Sequence, residues 1–270
     1  MMNVEQMSDR NGDHTFTGFW KFLRVAGWTA AAMILVLPFV LMRFTTEVDW
    51  TFGDLLFAGA ILGSVGLLFE FLIRRSADDA YRTGVIVTLA TMFLLIWINA
   101  AVGLVGSGAN AANILYAALV AVPMIGGLLC GFKAKGMFRT SIATAVVQAL
   151  IMVGVFVIGA VGEDEAIAIL VMNAVFIVLW IGAALLFAEA SRPIGAHPSG
   201  RSERVLRIHF VLSSMIIAIG VVLLVFMIGV EGEPGAIPLF ITLAGIIWSL
   251  ITWFRSRSIG SSTRDRSSTI

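Results

Sequence analysis

Apolar residues in this chain come in runs of about 20, with no alternation of apolar and polar positions at period two inside them. At ~1.5 Å per residue, such a run makes ~30 Å of helix, the thickness of a bilayer's hydrocarbon core. The runs predict eight spanning helices, over residues 22–42, 52–73, 83–105, 114–132, 140–161, 166–188, 210–230 and 236–254. A backbone in hydrocarbon has no water to satisfy its polar groups, which leaves helices or a closed barrel, and continuous apolar runs exclude the barrel. The predicted fold class is therefore all-α, a polytopic transmembrane helical bundle. Pro38 and Pro123 fall inside the first and fourth runs and predict kinks, which a packed bundle tolerates. The first run is too long for a signal-peptide core, and Met42-Arg43 after it offers no small-residue cleavage site, so it is expected to remain in the protein.

Composition agrees: with 59% hydrophobic and 13% charged residues, the chain has too little polar surface to cover a water-soluble domain. The polar stretches predict a cytoplasmic tail and interfacial segment over 1–21, disordered up to about residue 15. A six-helix membrane unit over 22–188 follows, then a cytoplasmic linker over 189–209 that is interrupted by Pro193, Gly195, Pro198 and Gly200. A C-terminal hairpin over 210–254 and a disordered Ser/Arg-rich tail over 255–270 complete the chain. At an offset of 70 residues, Val155, Phe156, Ile158, Gly159, Gly162, Glu163, Ala166 and Ile167 match Val225, Phe226, Ile228, Gly229, Gly232, Glu233, Ala236 and Ile237. The final hairpin therefore reads either as a like-oriented repeat of 140–188 or as a chance match among residues drawn from few types.

Charge orients the bundle. Of the 18 Lys and Arg residues, Arg24 lies at the inner end of the first run, 16 lie in the N-terminal segment, the even-numbered connections and the C-terminal tail, and only Arg43 lies on the opposite side. The positive-inside bias places those segments, and both termini, in the cytoplasm. Trp20, Tyr81 and Trp253 fall at the predicted inner boundary and Trp50 and Tyr116 at the outer one, as an aromatic girdle would. A basic inner face attracts anionic lipid, so the bilayer is the first predicted partner. Basic residues spread over helix ends serve topology and predict no nucleic-acid binding.

Candidate chemistry is sparse. His14, His197 and His209 lack ligand spacing, a single Cys130 excludes an intrachain disulfide, and no phosphate loop or nucleophile motif is present. No metal, cofactor or catalytic residue is predicted. Gly103-x-x-Gly106-x-Gly108 reads as a loop entry, and Glu70 as an interfacial pair with Arg74 four residues on. Polarity at mid-membrane depth is uncharged: Asn99, Gln148 and Asn173 lie at depths where all three can meet. Such amides either tie helices together, at ~0.6 kcal/mol each, or line a path for a small solute. Gly59-x-x-x-Gly63 and Gly127-x-x-x-Gly131 predict close helix contact, within the chain or with a membrane-protein partner or second copy. On the outer side, Glu47, Asp49, Asp54, Glu163, Asp164, Glu165, Glu231 and Glu233 either solvate the surface or concentrate cations. Trp50, Asp54, Asn110, Asn113 and Tyr116 form a second candidate cluster, the polar groups that an enzyme acting on lipid at the interface would need.

Trp50-Thr51-x-x-Asp54, Glu70, Tyr81-Arg82, Asn99-x-Ala101-Val102-Gly103, Gly106, Asn110-x-x-Asn113-x-x-Tyr116, Gly136-Met137-x-Arg139 and Gln148 resemble the pattern of an uncharacterised family of small bacterial inner-membrane proteins. The resemblance covers residues 25–190, with Leu55 and Phe71 departing conservatively, and leaves the last two spans outside it. It implies a bacterial inner-membrane location and carries no substrate, cofactor or catalytic residue. The expectation is a non-enzymatic accessory or structural membrane protein, with a channel or facilitator for a small neutral solute or cation as the alternative.

Overall fold

No proline interrupts the chain before Pro38, and in the computed structural model a single helix, α1, runs over Val4–Leu41. The structure describes residues 4–45, 49–106, 110–162, 165–193, 199–231 and 236–267. Only Arg24–Leu41 of α1 is apolar enough to span a membrane, so the helix extends through the segment expected to be a disordered tail. Apolarity stops at the bilayer edge, whereas helical hydrogen bonding continues until a breaker stops it.

The chain divides into two compact units, residues 1–74 and residues 75–270. In the first, α1 packs on α2, Phe52–Ile73. Thr51 and Asp54 close a capping box at the start of α2: the Thr51 N–H donates to Asp54 at 2.8 Å, and the Asp54 N–H donates to the Thr51 hydroxyl at 3.3 Å. Gly66 lets the Trp28 ring of α1 approach α2, since a Cβ there would lie 2.7 Å from that ring. Arg24 then reaches Glu70 at 2.6 Å, and Arg74 reaches the other carboxylate oxygen at 3.3 Å.

The second unit contains α3, Asp79–Ala101, then the short α4, Asn113–Leu119, and α5, Ala121–Leu129. It continues with α6, Ala134–Val157, α7, Ala166–Ala190, α8, Ser199–Glu231, and α9, Ala236–Ser267. Among the described residues, seven helices are long and apolar enough to cross a membrane, one fewer than expected. The fourth expected span is instead broken at Val120 into α4 and α5. Pro123, in the first turn of α5, has no N–H to offer the carbonyl of Leu119, so the helical ladder lapses there. The two pieces together reach ~26 Å at ~1.5 Å per residue, short of a full core.

The connections nevertheless alternate between two ends of this unit. At one end Arg75, before α3, donates to the Gly131 carbonyl after α5 at 2.9 Å, and the Tyr81 hydroxyl donates to the Phe132 carbonyl at 2.8 Å. Arg204, in the first turns of α8, pairs with Asp78 at the start of α3. At the other end the Asn110 amide donates to the Ala160 carbonyl at 3.2 Å, joining the α3–α4 and α6–α7 connections. The chain therefore leaves through α3 and returns through the broken α4–α5 pair.

Helix α7 is the axis of this unit, packing against α3, α6 and α8. It can do so because it is apolar around its whole circumference and narrow near one end, where Gly182, Ala183 and Ala184 are buried. Phe187 fills the notch at Gly84 of α3 and meets Tyr81 edge to face, centroids 5.5 Å apart. Because α8 packs on α7 and α3, it belongs with them, although a boundary was expected over 189–209. Pro193 and Pro198 flank the interruption, α8 already begins at Ser199, and residues 194–198 lie outside the described ones. Helix α9 likewise continues to Ser267, through the expected disordered tail.

The matched hairpins start their returning helices in register, at Ala166 and Ala236. Their outgoing ends differ. Gly159 takes φ +68° and ends α6, whereas its match Gly229 stays inside α8; Gly232 lies outside the described residues. In the second hairpin α8 and α9 touch through backbone, for a Cβ on Gly220 would sit 2.8 Å from the Thr242 nitrogen. Gly220→Ala should therefore destabilise the protein by ~1–3 kcal/mol in detergent unfolding, the usual range for overpacking. Gly59→Ala, where nothing lies within 4 Å, should be neutral or slightly stabilising in the same assay.

Candidate functional site

The three intramembrane amides do not form one cluster. Gln148 of α6 and Asn173 of α7 meet, the Gln148 amide donating to the Asn173 carbonyl oxygen at 3.4 Å. Asn173 passes its own amide hydrogen to the Ile169 carbonyl at 2.9 Å. The Trp180 indole N–H donates to the Gln148 oxygen at 2.8 Å, and all three side chains are 0% exposed. Both functional ends of Gln148 are thus engaged by α7, which ties α6 to it at two levels two helical turns apart. Trp180 was absent from the candidate residues, yet it stands seven positions after Asn173, the spacing that returns to the same helix face.

Asn99 goes elsewhere. Its amide donates to the backbone carbonyl of Asn113 at 3.1 Å, at the outgoing end of α3. Asn113 in turn organises the loop that follows α3. Its side-chain oxygen accepts the N–H groups of Leu104 and Val105, each at 2.9 Å, and its amide donates to the Val105 carbonyl at 3.1 Å. The glycines of this loop supply the left-handed backbone that lets it double back, Gly103 at φ +83° and Gly106 at φ +58°. Gly108 lies outside the described residues. Asn110 closes the same region, its oxygen accepting the Ala112 N–H at 3.0 Å.

Tyr116, one turn beyond Asn113 on α4, is fully buried, and its hydroxyl lies beside Asn173 in a geometry short of a hydrogen bond. A seam of polar side chains thus runs from Asn99 through Asn113 and Tyr116 to Asn173, Gln148 and Trp180. Within it the Asn99 side-chain oxygen and the Tyr116 hydroxyl are buried without a hydrogen-bond partner, as is the Thr88 hydroxyl of α3.

Trp50 and Asp54 belong to the first unit, and Asn110, Asn113 and Tyr116 to the second. Asp54 is occupied by the capping box at Thr51, which gives it a structural use. Of the outer carboxylates, Glu47, Glu163, Asp164 and Glu233 lie outside the described residues.

A charged knot at the other end carries residues that sequence reasoning did not single out. Glu189 receives Arg192 and Arg207, each at 2.8 Å, with Arg204 at 4.0 Å, and its side chain is only 6% exposed. Arg204 also pairs with Asp78 and donates to the Arg192 carbonyl at 2.5 Å. Asp78 uses its second oxygen to cap α3 through the Tyr81 N–H at 3.0 Å. The knot fastens the start of α3, the end of α7 and the start of α8. Among the described residues no three His, Cys, Asp or Glu side chains converge as metal ligands would.

No family model matches this chain, and neither a curated protein nor a solved structure is similar to it.

Asn113 is the member of the seam with the most partners, and its loss leaves two buried backbone N–H groups unpaired. Asn113→Leu should lower stability by ~1–3 kcal/mol, the desolvation penalty of such groups, read as a lower midpoint in detergent unfolding. Asn110→Ala, at a half-buried position with fewer partners, should cost less.

Proposed function

We propose that this chain is a non-enzymatic accessory or structural protein of a bacterial inner membrane. Its buried amides hold helices against one another. The observation that carries this reading is the closure of the Gln148–Asn173–Trp180 group, in which a fully buried amide finds protein partners at both ends. A pathway would keep such atoms for water or solute. The family resemblance is compatible with this reading and supplies no activity to set against it.

Both termini are assigned to the cytoplasm. The bias of Lys and Arg supports this, as does the meeting of three basic connections at one end of the second unit, through Arg75, Tyr81 and Arg204. A channel or facilitator for a small solute is the second reading. The unpartnered oxygens of Thr88, Asn99 and Tyr116 favour it, because buried polar atoms without protein partners suit water or a polar solute.

Single cysteines in a Cys130→Ser background separate the two. With a membrane-impermeant maleimide applied from outside, position 164 should react and position 135 should react only after permeabilisation. Positions 148 and 173 should remain unreacted in both conditions. Labelling of 99, 148 and 173 in intact cells would instead establish an aqueous path and remove the structural reading.

A further inference from the structure

The end of the second unit that gathers the basic connections also holds a surface cleft of about 390 Å³. It is lined by Arg75, Ser76, Tyr81, Phe132, Lys133 and the start of α6, with Ala190 closing one side. The size falls within the ~300–1,000 Å³ typical of small-molecule sites.

The chemistry of the lining is one-sided. Among the described residues Arg75 and Lys133 are its charged groups, and no Asp or Glu lines it. The backbone acceptors of the turn that forms its floor are already used: Arg75 holds the Gly131 carbonyl and Tyr81 holds the Phe132 carbonyl. Ser76 accepts the Asp78 N–H at 3.1 Å, which leaves its hydroxyl proton to donate. Of the acids close in sequence to lining residues, Asp78 pairs with Arg204 and Glu189 with Arg192 and Arg207, and Asp79 is not among the lining residues. The described lining therefore presents two cations and a hydroxyl donor, with no carboxylate among its own side chains.

It is also held in shape. Gly131 and Phe132 both take left-handed backbone, φ +59° and +56°, an arrangement that is unfavourable for phenylalanine and persists because the surroundings enforce it. The Arg75 guanidinium lies over the Phe132 ring, 5.6 Å from its centroid, so one of the two cations is positioned by the turn itself. Helix α6 starts in the same wall, at Ala134, without a side-chain cap, which adds partial positive charge to that of the two side chains.

We propose that this cleft binds a phosphate group, with Arg75, Lys133 and Ser76 as its ligands. Arg and Lys together with a hydroxyl donor suit the anionic oxygens of a phosphate, which accept hydrogen bonds. The headgroup of an anionic phospholipid is one source of that group, and soluble phosphate is the other.

Full-length protein purified in a neutral maltoside detergent provides the test, with binding followed by native mass spectrometry. The probes are short-chain phosphatidylglycerol, diacylglycerol of the same chain length, and inorganic phosphate. Phosphatidylglycerol should bind at least tenfold more tightly than diacylglycerol. At ~1 kcal/mol per cation near an anionic headgroup, Lys133→Gln should weaken it about fivefold and the Arg75→Gln/Lys133→Gln pair about 25-fold. Lys135→Gln, which removes an exposed cation outside the lining, should leave binding within twofold. Competition by millimolar inorganic phosphate would identify soluble phosphate as the source, and phosphatidylglycerol binding that it does not displace would identify lipid. Because Lys133 is exposed and its side chain makes no bond to another described residue, its variant tests binding without threatening the fold. Equal binding of diacylglycerol and phosphatidylglycerol, or Lys133→Gln and the double variant both within twofold of the parent, would overturn the proposal.

Discussion

An amide buried among apolar helices must be satisfied by the protein, because no water is at hand and an unpaired polar group in such surroundings costs several kcal/mol. In this chain that constraint falls on Gln148, and α7 answers it with Asn173 below and Trp180 above. The rest of the second unit follows from the same helix. With α6 fixed on one side, Gly84 and Phe187 seat α3 on another, and Gly182 takes Met215 of α8 on a third. Close approach through small residues and a few amide bonds replaces the hydrophobic driving force that lipid does not supply between helices.

The two ends of the unit are organised by opposite means, and each suits its surroundings. At one end, where basic residues collect, charge is neutralised in a knot around Glu189 and Asp78, and carbonyl groups of the α5–α6 turn are taken up by Arg75 and Tyr81. At the other end uncharged asparagines do the work, Asn113 folding the α3–α4 loop and Asn110 binding it to the α6–α7 connection. Among the 18 Lys and Arg residues only Arg43 falls in the connections of that end's kind along the chain, so neutral amides are the donors left for loop closure there. This division accounts for the Asn residues that stand out in the sequence just after the third span.

Much of the fold is legible in the sequence because the length of an apolar run reports directly on the bilayer it must cross. The departures have local physical causes. Pro123 marked a kink within a whole span, but with its N–H absent so near a helix start the run became two short helices. The helices outlast the apolar runs at Val4, Ser199 and Ser267, since polar residues do not end a helix where no proline or left-handed glycine intervenes. Residue depth along each span allows Gln148, Asn173 and Asn99 to meet; Gln148 and Asn173 bond to each other, whereas Asn99 turns to the loop after α3. That loop folds Asn113 back onto Asn99, a long-range contact with no periodic signal along the chain. The Glu70 pairing shows the same limit: spacing of four reveals Arg74, while Arg24 comes from another helix and has no signature along the chain.

If α7 holds its neighbours through buried amide bonds, the contact between Gln148 and Trp180 must contribute energy that neither residue contributes alone. A double-mutant cycle of Gln148→Leu and Trp180→Phe, with unfolding free energies measured in mixed micelles, reads that coupling directly. The account predicts a favourable coupling on the order of 1 kcal/mol, within the range known for hydrogen bonds between membrane helices. Additivity of the two substitutions to within ~0.3 kcal/mol would contradict it and leave the amides without the structural role assigned to them.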